Sequence, residues 1–358
     1  MPDPSSPIAW ERAKPGRPSP LFVAAATLLG LGTVCVGIAL VGQAGRLTRD
    51  SVAWSLVVVA LSGVAVSSTC FAARRFLHNP AVALVAGLFV AVDPAFLAGM
   101  RAGAAVQVEL GLGAAALWCI FALPTWTHWI AGLLLAAGSL VDPRLFLLGL
   151  PIAAMVLLRG HIYAAPRHLA MAAAQTVLLP AVGAITGALW TASATCKGDL
   201  LQDALLLRFS SADGWVAIHN AVTWYGGLAA IVFLALGGLA VLAGDFRVAR
   251  MPGRVQLRIS DALRPMHGRG LWLLLLVASA PVSFWPVLLA IGLAAGVGAL
   301  AEDAPGFGLT VGVILLAFAG LIVAGSWGAV WGSDAAGAMR FVPWARMEAC
   351  TASGLGNT

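Results

Sequence analysis

Long apolar runs alternate with short polar interruptions along nearly the whole chain. A membrane-crossing helix needs about 20 apolar residues, with a range of about 17–25. Read against that length, the first run is Leu21–Gly42 and the second is Ala53–Ala73, closed by Arg74 and Arg75. Pro80–Val92 is a short third run that stops at Asp93-Pro94. Gly103–Leu123 is the fourth, and Ile130–Val141, stopped by Asp142-Pro143-Arg144, is a short fifth. Leu145–Leu158 and Leu169–Trp190 follow. After a polar stretch, Thr191–Asn220, come an eighth run at about Thr223–Ala243, the apolar segment Leu271–Leu300 and a last run, Leu309–Trp331. At 1.5 Å per residue Leu271–Leu300 is about 45 Å long, too long for one straight crossing, and it contains Pro281 and Pro286. The pattern predicts an all-α, polytopic transmembrane helical bundle of ten or eleven spans over 21–332. A proline-rich, disordered cytoplasmic arm (1–20) precedes it and a tail (333–358) follows.

Composition sharpens this. Sixty per cent of the 358 residues are hydrophobic, 10% are charged, and the mean hydropathy is +0.93. A soluble domain carries about 25% charged residues, so a soluble fold lacks the polar groups to cover its surface. Disorder, a secreted disulfide scaffold and a cytosolic enzyme are excluded on the same ground. The net charge of +6 invites a nucleic-acid reading, but cytoplasmic loops of membrane proteins collect Arg and Lys, and no nucleic-acid partner is expected. With the N-terminus inside, the inner segments hold Arg12, Lys14, Arg17, Arg74, Arg75, Arg159, Arg167 and six Arg between 247 and 269. The outer segments hold Arg46, Arg49, Arg101, Arg144, Lys197 and Arg208. Thirteen against six predicts a cytoplasmic N-terminus. The basic stretch 245–269 reads as cytoplasmic, and the heavy Ala, Gly and Arg usage suggests a bacterial inner membrane.

Ionisable residues at membrane depth are costly and mark sites by default. Glu109, about six residues into the fourth run, is the clearest; Asp93 and Asp142 stand before prolines at outer ends, where Asp-Pro is also an ordinary turn. Gln107 and Gln175 are weaker versions of the same signal. The five cysteines are scattered, no metal-ligand spacing occurs, and neither a metal nor a cofactor is expected. The pairs Gly99/Gly103, Gly183/Gly187, Gly292/Gly296 and Gly308/Gly312 have the small-xxx-small spacing of closely packed helices, although 41 glycines produce several such pairs by chance.

Residues 53–158, about 105 of 358, carry an ordered series of features. A run ends in a basic pair and an aromatic, AARRFL (Ala72–Leu77). A short run with a proline leads to an Arg, NPAVALVAGLFVAVDPAFLAGMRAG (Asn79–Gly103). A Trp-containing turn then leads into two apolar runs, PTWTHWIAGLLLAAGSLVDPRLFLLGLPIAAMVLL (Pro124–Leu158). This series resembles the core of GT-C membrane glycosyltransferases, in particular the protein O-mannosyltransferase and aminoarabinose-transferase group. The resemblance implies a polyprenyl-phosphate sugar donor at the outer face, with Arg101 matching the family's Arg. It also implies a carboxylate base on the first outer loop. That loop is short here, QAGRLTRDSV between Gly42 and Ala53, and Asp50 is its one acid. The implied catalytic acids are Asp50, Asp93 and Glu109; Arg101, Arg144 and Asp142 are the implied substrate-binding residues. The short loop also admits a non-catalytic accessory subunit with membrane-protein partners. Short helices admit a flippase or transporter of a lipid-linked sugar.

Overall fold

A computed structural model describes residues 18–44, 52–76, 80–103, 106–122, 128–141, 143–160 and 166–190, with 276, 280, 284, 286–292 and 294. All regular structure among them is helical: α1 Pro20–Gln43, α2 Val52–Phe76, α3 Pro80–Val92, α4 Pro94–Ala102, α5 Val106–Ala122, α6 His128–Val141, α7 Gly149–Gly160 and α8 Pro166–Trp190. The runs placed after Trp190, the loop 191–220, the basic stretch 245–269 and the tail lie outside the described residues, apart from the fragments of 271–300 above.

Local chemistry sets the ends. Ser19 caps α1, its hydroxyl accepting from Phe22 N at 3.2 Å, and Pro20 occupies the first helical position, where no N–H is needed. The expected sixth run, Leu145–Leu158, is two elements: a 3₁₀ turn at Pro143–Leu148 and then α7. Pro151 explains the restart, because proline is accommodated in a first turn and not in a helix interior.

The packing has α2 at its hub, with α1, α3 and α5 around it; α5 leads on to α6, α6 to α8, and α8 to α7. α6 and α8 pack backbone to backbone. A Cβ on Gly183 would collide with the Ala136 carbonyl oxygen, and one on Gly187 would lie 2.6 Å from the Leu140 carbonyl oxygen. Glycine there lets backbone meet backbone, as the sequence spacing predicts. One hydroxyl ties α1 to α2: Ser67 Oγ lies 3.2 Å from Ala26 O of α1 and 3.1 Å from Gly63 O of its own helix. At the end of the hub where α2 finishes, an aromatic chain joins three helices. Phe22 meets Phe71 edge-on at 5.6 Å, Phe71 lies 5.2 Å from Trp118, and the Arg74 guanidinium sits 5.1 Å over Phe22. Phe284, fully buried, packs against α5 at Gly113, so part of the 271–300 segment belongs to the same core.

One element escapes the hydropathy pattern. α4 is a nine-residue helix where only a turn was expected. α3, at 13 residues, is about 20 Å long and falls short of the ~30 Å of a bilayer core. α3 and α4 together run from 80 to 102 and complete a path of about 34 Å, broken at Asp93.

Candidate functional site

A buried acid, Asp93, sits at the break between α3 and α4. α3 runs antiparallel to α2, with Gly87 seated on Cys70 and Val66. Six residues later the chain reaches Asp93, level with the middle of α2. Asp93 is the N-cap of α4: its Oδ1 accepts from Phe96 N at 3.1 Å, and its carbonyl accepts from Leu97 N at 2.9 Å. It is 4% exposed. The apolar run stops at Asp93, but in the structure α4 carries the helical path onward and the side chain is buried. Pro94 follows at the first helical position, so its missing N–H leaves no ladder bond unmade.

Gln107, in the first turn of α5, binds this break to α2. Its Nε2 donates to Phe96 O at 2.9 Å. The Ser62 hydroxyl, near the middle of α2, lies 3.0 Å from Gln107 Oε1 and 2.8 Å from Val58 O and shares its one proton between them. Gly99 makes room for the amide: a Cβ there would collide with Gln107 Nε2. Sequence reasoning gave Gln107 little weight, and its only signal was a polar residue inside an apolar run.

Glu109 is fully buried and also lies in the first turn of α5. The apolar run begins at Gly103, but residues 103–105 precede the helix, so counting from the run overstates its depth. A first-turn carboxylate lies at the positive end of the helix dipole. Its Oε2 makes no hydrogen bond among the described residues, although the residue has other interactions. Arg101 is half-buried in the last turn of α4, where a cation suits the dipole. α4 ends at Gly103, whose φ of 65° lies in the left-handed region that glycine adopts without strain. Trp54, at the start of α2, donates from Nε1 to Gly103 O at 2.9 Å and fixes that end.

Asp93 thus stands at the start of α4, Arg101 in its last turn and Glu109 in the first turn of α5. Asp50 and Asp142 lie outside the described residues, as does the side chain of Arg144. Among the described residues no group of three or more His, Cys, Asp or Glu could hold a metal ion. The cap role of Asp93 has a direct check. Asp93→Ala is expected to lower stability by about 1 kcal/mol, and Asp93→Asn to leave it nearly unchanged, because Asn caps as well as Asp. Thermal unfolding of the two variants reads this, and an activity lost in Asp93→Asn at unchanged stability would give the carboxylate a chemical role as well. Comparison with protein-family models, with curated proteins and with solved structures found no match to this chain.

Proposed function

We propose that this chain is a polytopic integral protein of a bacterial inner membrane, with a cytoplasmic N-terminus and a GT-C-like core at 53–158 that holds the phosphate of a polyprenyl-phosphate sugar at Arg101. The membrane reading is carried by the outer surface of α1. α1 has 24 residues and no charged side chain, and only 28% of its most apolar window is buried inside the protein, against 61% for α2. Leu21, Leu28, Leu31 and Ile38 stand exposed along it, and Met171, Leu178, Val182 and Ile185 do the same on α8. Exposed apolar surface of this extent on a soluble protein invites aggregation; against lipid it is the ordinary solvent-facing side. The core helix of a soluble domain would be covered.

The donor-binding reading rests on the ordered sequence features and on Arg101. A guanidinium pairs with phosphate through short, charge-assisted hydrogen bonds. Arg101 stands at the Trp54 end of the helices, the outer end when the N-terminus is inside. A second reading, a non-catalytic subunit, is favoured by the acids. Transfer needs a carboxylate beside the acceptor hydroxyl, whereas Asp93 caps a helix and Glu109 is fully buried.

Two measurements test this. An alkaline carbonate wash of membranes is expected to leave the protein in the pellet, and its release would refute the integral reading. Lipids extracted from purified wild type are expected to contain polyprenyl phosphate or its glycosylated form, and those from Arg101→Ala to lack it. Equal lipid in both removes Arg101 from the site. No such lipid, together with stoichiometric partner subunits, supports the accessory reading.

A further inference from the structure

α3 and α4 form one path with a joint in its middle. The helical ladder ends at Val92, Asp93 caps the next helix, and Pro94 opens it. The other end of α4 is turned by Gly103 with its positive φ. Nine residues thus lie between two joints. Among the described residues, Gln107, braced by Ser62, grips the Phe96 carbonyl and Trp54 grips the Gly103 carbonyl, beside a further interaction made by Arg101. The apolar anchors are Phe96, Leu97 and Met100, all buried, with Met100 over Gly37 of α1. Gly37 and Gly99 keep the faces on both sides of α4 shallow, one toward α1 and one toward Gln107. A short helix between joints, seated on shallow faces and tied by side-chain hydrogen bonds, can move while α2, α3 and α5 stay in place.

We propose that α4 is a gate: it swings about the Asp93–Pro94 and Gly103 joints as a body separate from α3, with Gln107 as its latch. Its opening exposes the interior around Asp93, Gln107 and Glu109 toward the Trp54 end of α2. The inference goes beyond the donor-binding reading and depends on helix packing alone, so it stands or falls independently of which lipid is bound.

The test uses the full chain in detergent, with Cys35, Cys70, Cys119, Cys196 and Cys350 replaced by Ala. Met100→Cys supplies one reporter thiol on α4, and Leu135→Cys supplies a second, equally buried one on α6. Maleimide labelling rates are measured with and without Gln107→Leu. Removing the latch is expected to speed labelling at the Met100→Cys thiol roughly tenfold, the equivalent of about one buried hydrogen bond, and to leave the Leu135→Cys thiol unchanged. Trp54→Phe, which removes the other attachment at a part-exposed position, is expected to speed the first reporter alone as well. It decides the matter if Gln107→Leu does not fold. An unchanged rate at the Met100→Cys thiol in both attachment variants would overturn the gate. So would an equal rise at both reporters, since that reports general loosening.

Discussion

Gly183→Leu is expected to drive α6 and α8 apart and to destabilise the folded protein by about 3 kcal/mol, the upper end for overpacking a well-packed contact. Nothing flexible stands in the way to yield. The atom that a Cβ would meet is the Ala136 carbonyl oxygen, with the Ala136 Cα and carbonyl carbon 3.0 Å away, so relief requires moving a helix and not a rotamer. Gly187, one turn on, has backbone neighbours of the same kind at Ser139 and Leu140, so α8 cannot tilt to escape at one end only. Gly32→Leu is the matched control. It adds the same side chain to a helix, but nothing lies within 4 Å of the Gly32 Cβ position. Thermal unfolding in detergent should show a large fall for Gly183→Leu and almost none for Gly32→Leu. Equal effects would mean that helix propensity, and not the α6–α8 contact, sets the outcome.

Gln107→Leu is the second large effect, at about 2 kcal/mol. The side chain serves α4 and α2 at once, through Phe96 O and the Ser62 hydroxyl. Leucine has a similar bulk and offers neither group. The cost stays moderate because Ser62 retains Val58 O and because Phe96 O lies in a helix that can supply its own donor. Ser62→Ala alone should cost about 1 kcal/mol, since it leaves the buried Gln107 Oε1 without its donor. The two changes touch one network, so the double variant should fall short of their sum by about 1 kcal/mol. Unfolding of the four proteins in the cycle measures this. Strict additivity would show that Ser62 and Gln107 do not act together.

The sequence pattern reached the helices through one rule, the length of an apolar run. That rule finds α1, α2, α5 and α8 within a few residues, and it finds α3 and α6 because both stop at Asp-Pro. It misses α4 for the same reason. Asp93-Pro94 reads equally as the end of a helix and as the start of the next, and nine residues are too few to register as a run. What decides between the two is a hydrogen bond from Phe96 N to Asp93 Oδ1, which depends on a backbone path that periodicity does not describe. The same ambiguity moved Glu109: its distance from the start of an apolar run is not its distance from the start of a helix. Arg101 was legible as a cation beside a polar turn, but its place at the end of a helix was not. The close packing behind Gly183 and Gly187 was visible in their spacing. The partner surface on α6 was not, because contact between distant segments leaves no local trace.

The break at Asp93 bears on how such a chain is made. A segment of 80–102 entering a bilayer alone would carry an acid at its middle, a penalty of roughly 2.5–3.5 kcal/mol on insertion scales. α2, with Ser62, is synthesised before this segment, but Gln107 emerges only afterwards. On the proposed membrane reading, the attachment of α4 to α5 forms only after the segment itself has entered the bilayer. The segment settles once α5 has followed and its first turn has come to rest on Phe96.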